Sequence, residues 1–183
     1  MRVAGSRVLI TGAGHGLGFA IAAAFARAGA NVVVTDLVAD RVQEAVAKLK
    51  ATGAAACGYS LDVTSSEQIA KVRAQLLAEQ GPLDVLVNNA GTVFGGPFLN
   101  VPVERHLTTI DVNLGGVLAM THAFLPDLLA RPAGHIVNIA SASAVIALPM
   151  ATTYAASKWA VLGFSESLRE ELHVLGQIGR AHV

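Results

Sequence analysis

Tyr154 and Lys158 stand four residues apart in Y-A-A-S-K-W-A-V-L-G-F, at the start of an otherwise apolar helical pattern. Residues i and i+4 share one face of a helix. A phenol and an ammonium on one face can simply pack and be solvated, as lone tyrosines and lysines usually do. They can also form an acid/base unit. A free tyrosine hydroxyl titrates at about 10, and a neighbouring ammonium favours the phenolate and draws that titration towards the working range. A third polar group lies upstream. Ser141 stands thirteen residues before Tyr154, at the end of an apolar run, with Ser143 as a competing candidate. A hydroxyl there can orient a substrate oxygen and stabilise developing charge.

The elements that must position these groups alternate along the chain. Strand-like runs are expected at 7–11, 31–36, 57–63, 83–91 (passing into a loop) and 134–141. Helical patterns are expected at 16–29, 39–51, 65–80, 103–130 (one long helix or two) and 153–175. Ser65, with Glu67 and Gln68 in the first turn, marks one helix start. Such alternation predicts an α/β fold, a doubly wound parallel sheet with helices on both faces and right-handed crossovers. There is no repeat and no low-complexity linker, so a single domain over residues 1–177 is expected.

T-G-A-G-H-G-L-G (11–18) lies between the first strand and the first helix. Its glycines, Gly12, Gly14, Gly16 and Gly18, permit a tight turn and close backbone approach to a pyrophosphate. The helix N-terminus then offers N–H groups and a favourable dipole to that anion. The form G-x-G-x-x-G is absent, because Leu17 and Phe19 occupy the places where its last glycine would fall. A glycine turn by itself is often purely structural. Asp36 ends the second strand, eighteen residues beyond Gly18. A carboxylate there can accept hydrogen bonds from ribose hydroxyls and would repel a 2′-phosphate, which favours NAD over NADP. Alternatively it caps the next helix. His15 is a basic group that could help to hold a phosphate.

Together with L-D-V (61–63), N-N-A-G (88–91), Asn113, G-H-I-V-N-I-A-S (134–141) and Y-A-A-S-K (154–158), this loop and Asp36 occur in one order and spacing. From residue 7 to about 175 the chain resembles the short-chain dehydrogenase/reductase family. The resemblance implies a Rossmann-type sheet of strand order 3-2-1-4-5, a nicotinamide cofactor, NAD rather than NADP, and interconversion of an alcohol and a carbonyl. It implies a cofactor site of Gly12, Gly14, His15, Gly16, Leu17, Gly18, Asp36 and Leu37. Asp62 and Val63 would lie by the adenine, with Asn88, Asn89, Ala90 and Gly91 supporting the cofactor at the central sheet. Family spacing selects Ser141 over Ser143. Tyr154 becomes the acid/base, Lys158 also bonds the nicotinamide ribose, and Asn113 holds a water that relays protons to Lys158. Helices 103–130 and 153–175 would pair across a two-fold into a homodimer or homotetramer; the second carries apolar Trp159, Leu162, Leu168 and Leu172, some of which must cover the protein's own sheet. Composition and periodicity alone stop at a nucleotide-binding α/β domain.

Basic and acidic residues balance at 13 each, which leaves no footprint for nucleic acid or an anionic membrane. The one cysteine, Cys57, excludes an intrachain disulfide, and a cytoplasmic setting is expected. The histidines lack metal-ligand spacing, so no metal site is expected. Arg27 interrupts the apolar run that begins at Gly16, and no signal peptide is read at the N-terminus. The last strands of the family are expected to be missing. Residues 178–183, I-G-R-A-H-V, show no strand alternation and are read as a non-native tail. The strand at 134–141 would then be an uncovered edge, and the fragment would be inactive. The alternative function is a nucleotide-binding module without turnover. The substrate cannot be read.

Overall fold

The computed structural model describes residues 3–175 and the backbone of 180–182. The strands are β1 (Arg7–Ile10), β2 (Asn31–Asp36), β3 (Ala56–Ser60), β4 (Val85–Asn88), β5 (His135–Asn138) and β6 (Arg180–His182). All pair in parallel, in the order β3-β2-β1-β4-β5-β6. The order 3-2-1-4-5 is therefore the expected one. The helices are α1 (Gly16–Arg27), α2 (Ala39–Ala51), α3 (Ser66–Gln80), α4 (Val103–Ile110), α5 (Gly116–Leu129) and α6 (Thr152–Val174). A π turn, Asp111–Gly115, joins α4 to α5 within one continuous helical stretch.

Side chains alternate across a strand, so each central strand feeds two cores. Val8, Ile10, Val32, Val34, Val85 and Val87 pack with Ala22 of α1 and with Val42, Ala45 and Leu49 of α2. Leu9, Val33, Leu86 and Ile136 face the other way. They pack with Val72 and Leu76 of α3, Met120, Phe124 and Leu128 of α5, and Leu168 and Leu172 of α6. The stretch Val103–Leu129 is long and apolar enough to cross a membrane by length and composition. Its apolarity has another use here, because Met120, Phe124 and Leu128 are buried against the sheet. At the opposite end of the strands from the glycine loop, Asp84 accepts from the backbone N–H of Arg7 at 2.8 Å and from Arg131 Nε at 2.7 Å. One carboxylate thus ties β1, β4 and the turn before β5.

Four expectations change. The strand expected at 57–63 ends at Ser60, because its partner β2 ends at Asp36 and Asp62 turns the chain by accepting from Thr64. The tail expected to lack a strand supplies β6, with Arg180, Ala181 and His182 opposite His135, Ile136 and Val137. The edge of β5 is therefore paired. Ladder pairing uses backbone N–H and C=O groups, and side-chain alternation is no condition for it. On the sheet face, β5 buries Ile136 and leaves Val137 only partly buried. Finally, Leu168 and Leu172 lie in the protein's own core and cannot serve a partner, whereas Trp159 is exposed.

Phe124 is the largest fully buried side chain. Phe124→Ala should lower the free energy of unfolding by about 3–5 kcal/mol, through lost transfer and an unfilled cavity. Urea denaturation checks this, with an unchanged midpoint as the contrary result.

Candidate active site

The carboxyl ends of β1, β2 and β4 open into a cleft of about 450 Å³. Its floor is the glycine loop. Gly12 (φ +62°) and Gly16 (φ +57°) take left-handed backbone that side-chain residues rarely adopt. At Gly12 a Cβ would lie 2.9 Å from the Ala90 Cα, and at Gly14 it would lie 2.8 Å from an Asp36 carboxylate oxygen. At Gly18 it would collide with the Gly12 carbonyl. The loop is stapled to the end of β4 from both sides. Thr11 Oγ1 accepts from the N–H groups of Asn89 and Ala90 at 3.0 Å each, and Asn89 Nδ2 donates to the carbonyls of Thr11 and Gly12. His15 is the N-cap of α1 but makes no side-chain bond to its first turn. His15, Leu17 and Gly18 line the cleft, so this helix start presents its positive dipole end to whatever the cleft holds.

Asp36 is almost fully buried, and each of its oxygens is already fixed. Oδ1 accepts from Val38 N–H and Oδ2 from Gly14 N–H, at 3.1 Å each. Each oxygen keeps a lone pair for a further donor. The helix-cap alternative is answered in part: the N-cap of α2 is Val38, and Asp36 holds that residue's N–H from two positions upstream. Leu37, Asp62 and Val63 continue the wall, with Gly91 at its far end. Leu17 and Leu37 are 61% and 66% exposed, so the cleft offers two apolar side chains that a flat ring could cover.

A dinucleotide fits these residues. The bare backbone of the glycine loop could admit a pyrophosphate, the fixed Asp36 carboxylate could accept from a ribose diol, and the apolar side chains could cover a base. Sequence reasoning missed Arg41, which lines the same cleft on the first turn of α2, and Thr11, Thr92 and Thr108. Thr11 was visible as the first letter of the glycine motif. Arg41 had no signal beyond its place five residues after Asp36.

The proton-transfer candidates gather beyond Gly91 and Thr92. Lys158 is 5% exposed, and its Nζ donates to the Ile139 carbonyl at 2.7 Å. The same Nζ lies 5.8 Å from the centre of the Tyr154 ring, so the i, i+4 pair does share a face. Burial pushes the Lys158 ammonium below its ordinary value of 10.5. Ile139 is two residues before Ser141, so Lys158 is tied to the strand extension that carries the serine. Ser141 caps the short 3₁₀ turn Ala142–Ala144, and its Oγ accepts from Ser143 N–H at 3.2 Å. That leaves the Ser141 O–H to donate elsewhere. Ser143 is buried, and its own hydroxyl has no partner among the described residues.

Asn113 lies in the π turn and is fully buried. Its Oδ1 accepts from Thr92 N–H at 2.7 Å, and its Nδ2 donates to the Thr92 carbonyl and to Ser157 Oγ at 3.0 Å each. Both amide hydrogens are spent, so a relay water would have to use the second Oδ1 lone pair or the backbone carbonyl. Ser157, also missed from the sequence, donates its own hydroxyl to the Tyr154 carbonyl at 2.7 Å.

The family model described as short chain dehydrogenase matches residues 6–178. Human 17-beta-hydroxysteroid dehydrogenase 13 is 37% identical over 177 residues, which are 97% of this chain and 59% of that protein. The chain therefore spans little more than half the length of this relative. A crystal structure of a short-chain dehydrogenase/reductase from Burkholderia phymatum in complex with NAD superposes with a TM-score of 0.94 at 31% identity, covering 98% of this chain and 64% of that one. A putative NAD(P)-dependent gluconate 5-dehydrogenase from Beutenbergia cavernae, with NADP bound at low occupancy, gives 0.88 at 35% identity, covering 96% and 69%.

The burial of Lys158 has a pH signature. Its folded value is lowered, so between that value and 10.5 the unfolded chain binds more protons and stability rises with pH. Lys158→Met removes this increment. The difference in unfolding free energy, wild type minus Lys158→Met, should therefore grow as the pH is raised from 7 towards 10. A difference that stays flat in urea titrations would mean that this ammonium is not desolvated.

Proposed function

Because this chain belongs to the short-chain dehydrogenase/reductase family, we propose that it carries the cofactor cradle and proton-transfer set of an NAD(P)-dependent oxidoreductase that interconverts an alcohol and a carbonyl, with Tyr154 as acid/base. The observation that carries the proposal is the buried Lys158 ammonium, held by the Ile139 carbonyl near the Tyr154 ring, on a helix that Ser157 and Asn113 link to Thr92 in the cleft wall. The cofactor residues are Gly12, Gly14, His15, Gly16, Leu17, Gly18, Asp36, Leu37, Asp62, Val63, Asn89, Ala90 and Gly91. Tyr154 and Lys158 take the nicotinamide end.

When bound, the nicotinamide supplies the acceptor or donor of the hydride at the substrate's reacting carbon. The rest falls to the chain. In the oxidative direction Tyr154 takes the hydroxyl proton, and in the reductive direction it returns one. Lys158 keeps two N–H donors after its bond to Ile139, enough for a ribose hydroxyl and a proton path. Its charge stabilises the negative oxygen that forms beside it. Ser141, with its lone pair engaged by Ser143 N–H, donates to the substrate oxygen. Asn113 positions Thr92 and Ser157 around that centre.

NAD is the preferred cofactor in this proposal, because a 2′-phosphate would meet the pinned Asp36 carboxylate. Arg41 in the same cleft works in the other direction, and the two solved relatives carry NAD and NADP respectively. We place the protein in the cytoplasm as a homodimer or homotetramer through the faces of α4, α5 and α6 that keep Leu118 and Trp159 exposed. A second function, a nucleotide-binding module without turnover, is favoured by one observation: the residues that line the cleft are a set separate from Ser141, Tyr154 and Lys158.

Tyr154→Phe should reduce kcat/KM by about 10²–10⁴-fold and leave the NADH dissociation constant, read by fluorescence, within about twofold. Near-normal turnover in this variant would remove Tyr154 from the mechanism. NADH binding with no oxidation of any alcohol by the unmodified chain would select the module. The wild type should favour NAD over NADP in kcat/KM, and Asp36→Ala should erode that preference. A tenfold preference for NADPH in the wild type would overturn the role given to Asp36.

A further inference from the structure

Two loops flank the place where a substrate must sit. The first, 92–102, is T-V-F-G-G-P-F-L-N-V-P, and the second, 141–151, is S-A-S-A-V-I-A-L-P-M-A. Neither contains a charged residue or a histidine. The first is rooted at Thr92 by Asn113, and the second begins at Ser141 and leads into the helix of Tyr154. They are joined to each other, since Gly96 N–H donates to the Met150 carbonyl at 2.8 Å. Met150 takes a left-handed backbone, φ +64°, the one such non-glycine residue recorded in the described chain. Strain of this kind persists where surrounding structure holds it, and it clusters at binding sites.

These joined loops hold large apolar side chains out to solvent. Val93, Val145, Ile146 and Met150 are each more than half exposed. Arg105 reaches the first loop, but its guanidinium lies over the Phe94 ring at 5.1 Å. The contrast with the nucleotide cleft, which carries Asp36, Arg41 and Asp62, is one of charge. Large apolar side chains held exposed on two joined loops, one of which begins at Ser141 and leads into the helix of Tyr154, offer a binding surface. A carboxylate or polyol brought onto it would lose water and find few partners.

We propose that the substrate is an uncharged, apolar alcohol or ketone. Its oxygen lies at Ser141 and Tyr154, and its hydrocarbon body lies against Val93, Val145, Ile146 and Met150. This inference rests on the oxidoreductase function proposed above and adds the substrate class to it.

The test uses the full chain and a series of secondary alcohols, 2-butanol, 2-hexanol and 2-octanol, with gluconate as the charged polyol. With NAD, kcat/KM should rise at least tenfold from 2-butanol to 2-octanol, since each fully buried methylene is worth roughly fourfold. Gluconate should fall below 2-butanol. A reading that needs no turnover runs beside it: calorimetric dissociation constants of 2-butanone and 2-octanone for the NADH-saturated protein should separate in the same direction. The double variant Val145→Asp/Ile146→Asp, at exposed positions, should pull the octyl-to-butyl ratio back towards one in both measurements. NADH binding with a flat chain-length series, or a preference for gluconate, overturns the apolar substrate and leaves the oxidoreductase standing. Such a flat series would mean that protein, not substrate, covers these side chains. Failure of NADH to bind overturns both.

Discussion

One buried carboxamide holds the reacting end of this molecule together. Asn113 spends three hydrogen bonds on two partners, Thr92 on the loop after β4 and Ser157 on the helix of Tyr154 and Lys158. It can do so because it stands in a π turn, where the helix between α4 and α5 is locally wider. Without that amide, the root of the loop that ends the nucleotide cleft and the helix that carries the phenol would lose their direct side-chain link. An apolar side chain there would take from the half-buried Thr92 backbone groups the partner that fixes them. The geometry of Tyr154 therefore depends on a residue that need not touch a substrate.

A second polar chain runs deeper. Asn88 at the end of β4 donates to Asn138 on β5 and to Thr121 on α5, and Asn138 donates to Ser165 on α6. All four are buried. Apolar packing tolerates small slips, whereas a misaligned buried amide loses its partners outright, so this chain fixes the register of β5 and α6 against β4. It also carries a cost, because Asn88 Oδ1 finds no partner among the described residues. A buried unsatisfied oxygen costs about 1–3 kcal/mol. The combination places the Ile139 carbonyl, and with it Lys158, one step beyond a rigid polar seam.

The fold was legible because its signals are short-range and repeated. Continuous apolar runs rich in valine and leucine mark the strands, and the start of α3 is written in Ser65 and Gln68, whose bond is present at 3.3 Å. The i, i+4 spacing by itself puts Tyr154 and Lys158 on one face, and the glycine loop lies where its spacing says. What was not legible depends on contacts far apart in the chain. Nothing local says that Thr11 will meet Asn89 across 78 residues, that Arg41 will turn into the cleft, or that Ser157 will share a bond with Asn113. β6 was missed for a related reason, since three residues without alternation carry no strand signal until a partner edge is in place. Leu168 and Leu172 looked like partner contacts because a helical stripe does not reveal which surface it will meet.

Leu17 and Leu37 both line the nucleotide cleft, and both are well exposed. Water ordered over those two side chains must leave when a planar ring covers them. A dinucleotide is an anion, and its recognition by backbone N–H groups and a carboxylate would be expected to have an electrostatic calorimetric character. Released apolar hydration adds a negative heat-capacity change to that association. The enthalpy of binding would then become more favourable on warming. The grip on a charged molecule would carry the thermal signature of an oily one.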